Sequence, residues 1–188
     1  MELLKEAKGG NREAFDKLLE EYRHIFYKTA RIYFREDYSA TAVLEKTIHD
    51  LYRNLVDCRN EYEFKLYGIE LVLKHSAKQL EVNESTKLDK FKQKSLTAGL
   101  SDESRIVSSI ADDERDSYEL YRKSSVVESY IASLPAEIQL SALLYYYADI
   151  EIKDIAKLQN MSAREVKEQI DISRTKIYEM IKSKEAEL

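Results

Sequence analysis

The sequence predicts an all-α fold built as two small helical domains joined by a flexible linker. Three observations predict it. The 188 residues contain only four glycines and one proline, residues that helices avoid and that sheets and irregular loops need at their turns. Apolar residues recur at three- and four-residue spacings. No strongly alternating apolar run competes with that period. A composition of 44% hydrophobic and 35% charged residues belongs to a globular chain rather than a disordered one.

The first helix is expected over 11–34. Ala14, Phe15, Leu18, Leu19, Tyr22, Ile25, Phe26, Thr29, Ala30 and Tyr33 mark its apolar face, and Asn11, after Gly9-Gly10, is its N-cap. A second is expected from about Ser39 to Val56, with Ala40, Val43, Leu44, Thr47, Leu51, Tyr52 and Leu55 on one side. A third starts near Glu61, carries Phe64, Tyr67 and Leu71, and ends at about Leu80. Together they make a first domain, residues 1–82.

After Val82 the texture turns polar and rich in Ser and Asp, which predicts a linker over 83–117. Order resumes near Tyr118 in a second domain, 118–188. A short helix with Val126, Val127, Tyr130 and Ile131 ends at Leu134-Pro135. Pro135 opens the next helix, through Leu140, Leu143, Leu144 and Tyr147. Ile152 to Leu158 and Ala163 to about Lys184 complete the set.

The last two segments have the spacing of a helix-turn-helix. Ile155 and Ala156 point inward from the first helix, where a small Ala permits a close crossing. Asn160 stands where the turn needs a left-handed residue, and Met161 plugs the corner. Ser162 and Glu165 form the S-x-x-E capping box of the second helix, whose Val166 and Ile170 face the core. The N-terminal residues of such a helix meet the major groove. A plain capped helical hairpin has the same spacing.

With its surroundings, this segment resembles region 4 of sigma factors of the extracytoplasmic-function type. The resemblance runs through Leu134-Pro135, Leu143-Leu144-Tyr145-Tyr146-Tyr147, Asp154-Ile155-Ala156, Asn160-Met161-Ser162, Val166-Lys167 and Arg174. The first half is similar to region 2 of the same family. Gly10 to Tyr22 looks like its opening, Val43 to Leu55 like its polymerase-binding helix, and Phe64 with Tyr67 like its Phe-x-x-Trp. The matches cover about three quarters of the chain, in the family's order.

The resemblance implies core RNA polymerase and promoter DNA as partners, with an anti-sigma factor as a further one. It places core-polymerase contacts at Glu45, His49, Asp50 and Arg53. It places −10 contacts at Tyr62, Phe64 and Tyr67, as stacking groups for a single strand, and at Lys74 and Lys78 near the backbone. Contacts at −35 fall on Ser162, Arg164, Glu165, Lys167, Glu168 and Arg174. From the residues alone, the aromatics fit a helical core better than a stacking surface, and the charges of the recognition helix fit a solvated face equally well.

The chain departs from the family where acids usually open the polymerase-binding helix, since Ser39-Ala40-Thr41-Ala42 carries no charge. It departs again at Lys74, Lys78 and Glu81 in the −10 helix, and at Glu165 and Glu168 in the recognition helix. These departures motivate a second reading, a sigma-like regulatory or interaction protein without initiation activity.

Net charge is −5, from 30 Lys+Arg against 35 Asp+Glu, where a simple nucleic-acid binder carries a basic excess. The deficit is spread: 14 basic against 15 acidic residues over 1–82, 7 against 9 over 83–122, and 9 against 11 over 123–188. DNA binding is therefore expected to be local, weak alone, or supported by a larger partner. No apolar stretch nears the roughly 20 residues that span a bilayer, and one Cys allows no internal disulfide, so the expected location is the cytoplasm. His24, His49 and His75 lack metal-ligand spacing, and no phosphate loop or nucleophile elbow is present. The expectation is a non-enzyme with no cofactor and no metal.

Overall fold

A computed structural model of the protein describes residues 2–34, 37–93 and 126–185, and among them every regular element is helical. Eight helices follow in order: α1 (Glu2–Lys8), α2 (Arg12–Tyr33), α3 (Asp37–Arg53), α4 (Glu61–Gln93), α5 (Val126–Ala132), α6 (Ala136–Ala142), α7 (Ile152–Gln159) and α8 (Ala163–Glu185). A single 3-10 turn, Leu55–Asp57, follows α3.

Helix α1 was not anticipated from sequence. It is too short to stand alone, and it is held by burying Leu4 and Ala7. Its exit explains the glycine pair. Gly10 has φ 91°, a conformation that costs a residue with a Cβ. Its N–H reaches Ala7 O while Asn11 N–H reaches Glu6 O, closing the Schellman motif. Asn11 then caps α2, accepting from Ala14 N–H at 3.2 Å.

The first core forms between α2, α3 and α4. Phe26, Phe64, Leu18, Leu44 and Leu51 are fully buried, each contributing on the order of 1.5–3 kcal/mol by leaving water. Phe64 is the aromatic hub, with Phe15, Tyr22 and Phe26 at 6.3, 5.8 and 6.4 Å between ring centroids. Gly68 lets Phe26 lie against α4, since a Cβ there would stand 2.2 Å from the ring. The expected faces of α2 and α3 are buried except for Tyr22, which is half-buried, and Tyr33 and Tyr52 at the helix ends, which are exposed. Helix α3 starts two residues earlier than expected and stops at Arg53, where Asn54 turns back onto Asp50 O.

Helix α4 runs on to Gln93, past the expected end near Leu80 and into the stretch read as linker. The sequence from Asn83 to Gln93 has little apolar surface, so periodicity gave no signal there. It also lacks Gly and Pro and holds Glu, Lys, Leu and Gln, so nothing in it stops a helix already nucleated. The rest of the expected linker, 94–117, and the expected start of the second domain at Tyr118 lie outside the described residues.

In the C-terminal group, Tyr130, Ile131, Leu134, Ile138 and Leu143 are buried. Pro135 stands immediately before α6, and Ile138 N–H bonds its carbonyl at 3.1 Å. The turns after Ala142 widen to π-helical spacing over Leu143–Tyr147, with Ala148 N–H on Leu143 O at 3.1 Å. The connector beyond it bends through Asp149 at φ 52°. Leu140, Leu144, Ala148, Ile150, Ile155, Ala156, Val166 and Ile170 join the same buried cluster as the first core, so the two groups share one interior.

Candidate nucleic-acid interface

The helix-turn-helix forms from α7 and α8 with the predicted chemistry at each position. Asn160 takes the left-handed conformation, φ 52° and ψ 40°. Its N–H bonds Lys157 O and that of Met161 bonds Ala156 O at 2.9 Å, the same motif that ends α1. Ser162 and Glu165 close the capping box reciprocally. Ser162 N–H donates to Glu165 Oε2 at 2.7 Å, and Glu165 N–H donates to Ser162 Oγ at 3.2 Å. This bonding also holds the exposed Glu165 carboxyl below its usual range.

Ile155, Ala156, Val166 and Ile170 are buried as expected. A polar brace that sequence reasoning missed fixes the crossing. Buried Ser141 on α6 donates to Gln169 on α8 at 2.6 Å and accepts from Gln159 on α7 at 2.7 Å. Each of the three residues is unremarkable in sequence, and only the fold unites them.

The outer face of α8 carries Arg164, Lys167, Glu168 and Arg174, all exposed. Arg164 Nε lies 3.6 Å from Glu168 and Arg174 lies 3.6 Å from Asp171. The Tyr146 hydroxyl, with Asp171 nearby, holds the Arg174 guanidinium above its ordinary value. This face therefore mixes cations and acids in its first turns.

On α3, Glu45, His49 and Arg53 are exposed while Val43, Leu44, Leu51 and Leu55 are buried. Asp50 is not simply a surface charge. It accepts from His49 at 3.3 Å and from His75 of α4 at 3.1 Å. The His49 bond, with both imidazoles nearby, holds its carboxyl below the usual range against the opposing effect of burial.

The five residues read from the resemblance as −10 contacts do not share one surface. At about 100° per residue, Tyr67, Lys74 and Lys78 fall on one side of α4, with both lysines exposed and Tyr67 half-buried. Tyr62 lies about 140° around the helix from Tyr67. Phe64 has no exposed surface, so its ring is the core hub, with no free face on which a base could stack.

Tyr62 is engaged by the C-terminal group. Its hydroxyl donates to Asp154 Oδ2 at 3.0 Å and accepts from Glu151 N–H at 3.2 Å. One turn on, Lys65 Nζ donates to Ala148 O at 2.6 Å and Asp149 O at 3.4 Å, and lies over the Tyr62 ring. Burial pushes the Lys65 ammonium below its usual value and raises the Tyr62 hydroxyl. Burial works against ionised Asp154, yet its bonds from Lys157 and Tyr62 leave its carboxyl below the usual range. Tyr147 packs edge-on to His24 of α2 and under Lys28.

Cys58 is buried, which raises its thiol above the ordinary value and makes it a core residue. Among the described residues no group of His, Cys, Asp and Glu could hold a metal, and no helix is long and apolar enough to cross a membrane.

No family model and no curated protein match the chain in sequence. Among solved structures, the fold is similar to that of CnrH in its complex with the cytosolic domain of CnrY. The TM-score is 0.55, sequence identity is 16%, and the likeness covers 96% of each chain. The all-α architecture is thus one found in a known protein along its whole length.

Proposed function

We propose that the protein is a sigma factor of the extracytoplasmic-function type, which binds core RNA polymerase and directs it to specific promoters. The observation that carries this reading is the capped helix-turn-helix. Its Asn160-Met161-Ser162 turn and the exposed Arg164 and Lys167 stand where the family's recognition helix begins. Support comes from the all-α fold, which is similar to that of CnrH over 96% of each chain.

In this reading α3 meets the polymerase through Glu45, His49 and Arg53, with Asp50 positioned by His75. Tyr67, Lys74 and Lys78 of α4 make one face toward the −10 strand, and Tyr62 joins only if the C-terminal group moves away. Helix α8 enters the groove at −35 with Ser162, Arg164, Glu165, Lys167, Glu168 and Arg174. The boundaries at 82 and 118, a cytoplasmic location, and an anti-sigma partner, bound as CnrH binds the cytosolic domain of CnrY, belong to the same proposal.

A second reading, a sigma-like regulator without initiation activity, is favoured by one observation. Although α3 opens on Asp37, the four positions from Ser39 to Ala42, where the family carries acids, have none. Co-elution with core polymerase, followed by run-off transcription mapped at its RNA ends, separates the two. Specific starts that depend on the protein support the first reading. Core binding without any start supports the second, and absence of core binding removes the first.

A further inference from the structure

We propose that Tyr62 and Lys65 form a clasp that holds the free chain closed, with the helix-turn-helix group seated on α4 and the Tyr62 ring withheld from nucleic acid. The withholding of Tyr62 from DNA rests on the sigma-factor reading, whereas the closed form itself does not.

The two residues stand one helical turn apart on α4, and both address the short connector between the π-helical turn and α7. Lys65 meets its first part. Its ammonium bonds Ala148 O and Asp149 O, carbonyls at the negative end of a helix, where a cation is favoured. Tyr62 meets its second part, accepting from Glu151 N–H and donating to Asp154 Oδ2 in the first turn of α7. An aromatic hydroxyl that both accepts and donates fits that end, where a free N–H and a carboxylate lie side by side. The Lys65 ammonium over the Tyr62 ring ties the two halves of the clasp together.

The connector's shape closes its own helix, Ile150 N–H reaching back to Leu144 O at 3.0 Å, and at the same time serves the docking. Asp149 holds a left-handed φ of 52°, an uncommon conformation for a residue with a Cβ. Its carbonyl and that of Ala148 are thereby presented to α4. The charged bonds are partly shielded from water, since Lys65 is half-buried and Asp154 is 8% exposed. Shielded bonds of this kind resist salt better than surface pairs.

A closed form that hides part of a binding face lowers apparent affinity by the fraction of molecules that are open. Releasing the clasp therefore strengthens binding of any partner that needs the open form. Fluorophores on Asp16→Cys of α2 and Lys176→Cys of α8, both exposed sites, report the closure by energy transfer; Cys58 is buried and does not label. The expected results are high transfer in the unmodified clasp, a clear fall in Lys65→Met and Tyr62→Phe, and retention in Lys65→Arg. Titration of the core-polymerase complex with a single-stranded −10 oligonucleotide should then show Lys65→Met binding roughly tenfold tighter.

Low transfer with the clasp intact, or transfer unchanged in Lys65→Met with helical content preserved, overturns the clasp. A fall in transfer with affinity for the single strand unchanged overturns the occlusion. If transfer falls as expected and no variant binds core polymerase, the clasp stands and the sigma-factor reading fails.

Discussion

Replacing Gly68 by Ala tests how tightly the first core is set. Gly68 lies in α4 beneath the Phe26 ring, and a Cβ there would stand 2.2, 2.4 and 2.9 Å from Cζ, Cε1 and Cε2. Ordinary carbon contact is about 3.5–4.0 Å, so the ring must retreat by more than about 1 Å. It has little room, being fully buried and packed against Phe64. Two effects oppose. Ala in place of Gly within a helix gains about 1 kcal/mol, whereas overpacking a closed core costs about 1–3 kcal/mol, and more where a rigid ring must move. The clash wins, giving a net loss of about 1–2 kcal/mol. A chain of this size then melts roughly 3–8 °C lower. Circular dichroism on heating and in urea measures it. The double variant Gly68→Ala with Phe26→Leu provides the cycle, since without the ring the Ala should recover its helix gain. An Ala variant as stable as the parent, or more so, refutes the proposed close approach of Phe26 to α4.

Changing Arg164 and Lys167 together to Ala should lower promoter-dependent transcription roughly tenfold or more while leaving core-polymerase binding intact; unchanged run-off transcription removes α8 from recognition. Ser162→Ala should destabilise the start of α8 by about 0.5–2 kcal/mol, read as faster amide exchange in its first turn, and equal protection would show the capping box to be unimportant. Acid should loosen the contact between the groups. The Asp154 carboxyl is held below its usual range, so its stabilisation is complete above about pH 4 and is lost as pH falls below that. Asp154→Asn should therefore lose less stability than the parent between about pH 4 and pH 2, and an identical loss in both would show that Asp154 contributes nothing there.

The parts legible in sequence were those written in local chemistry. The Asn11 cap, the Asn160 turn, the Ser162–Glu165 box and the buried faces of α2 and α3 each depend on residues within a few positions of one another. They appear where the spacing placed them. The end of α4 was illegible because periodicity reports burial, and a helix can continue without burying anything. Phe64 carried two readings in sequence because a ring in a core and a ring on a platform occupy the same helical spacing. What finally distinguishes them is the set of partners, Phe15, Tyr22 and Phe26, that the fold brings around it. The clasp lay furthest out of reach. Its bonds join residues 83 to 92 positions apart, and neither Lys65 nor Asp154 departs from what a helix surface ordinarily carries.

The electrostatics of α8 bear on how such a protein could use DNA at all. Between 163 and 183 the helix has five cations, Arg164, Lys167, Arg174, Lys176 and Lys182, against four acids, Glu165, Glu168, Asp171 and Glu179. Arg164 and Arg174 each lie 3.6 Å from one of those acids. Affinity for duplex DNA rises with the number of phosphates neutralised, and independent binders neutralise about 6–10. A helix with so little uncompensated positive charge, on a chain of net charge −5, falls short of that number. It suits a protein whose hold on DNA is shared with a second attachment. On the proposed reading that attachment is core polymerase, and α8 supplies position and base choice rather than the bulk of the affinity. Salt dependence then discriminates between the readings. The slope of DNA affinity against salt should be shallow for the protein alone and steep for its complex with polymerase. A steep slope for the protein alone would mark it as an independent DNA binder.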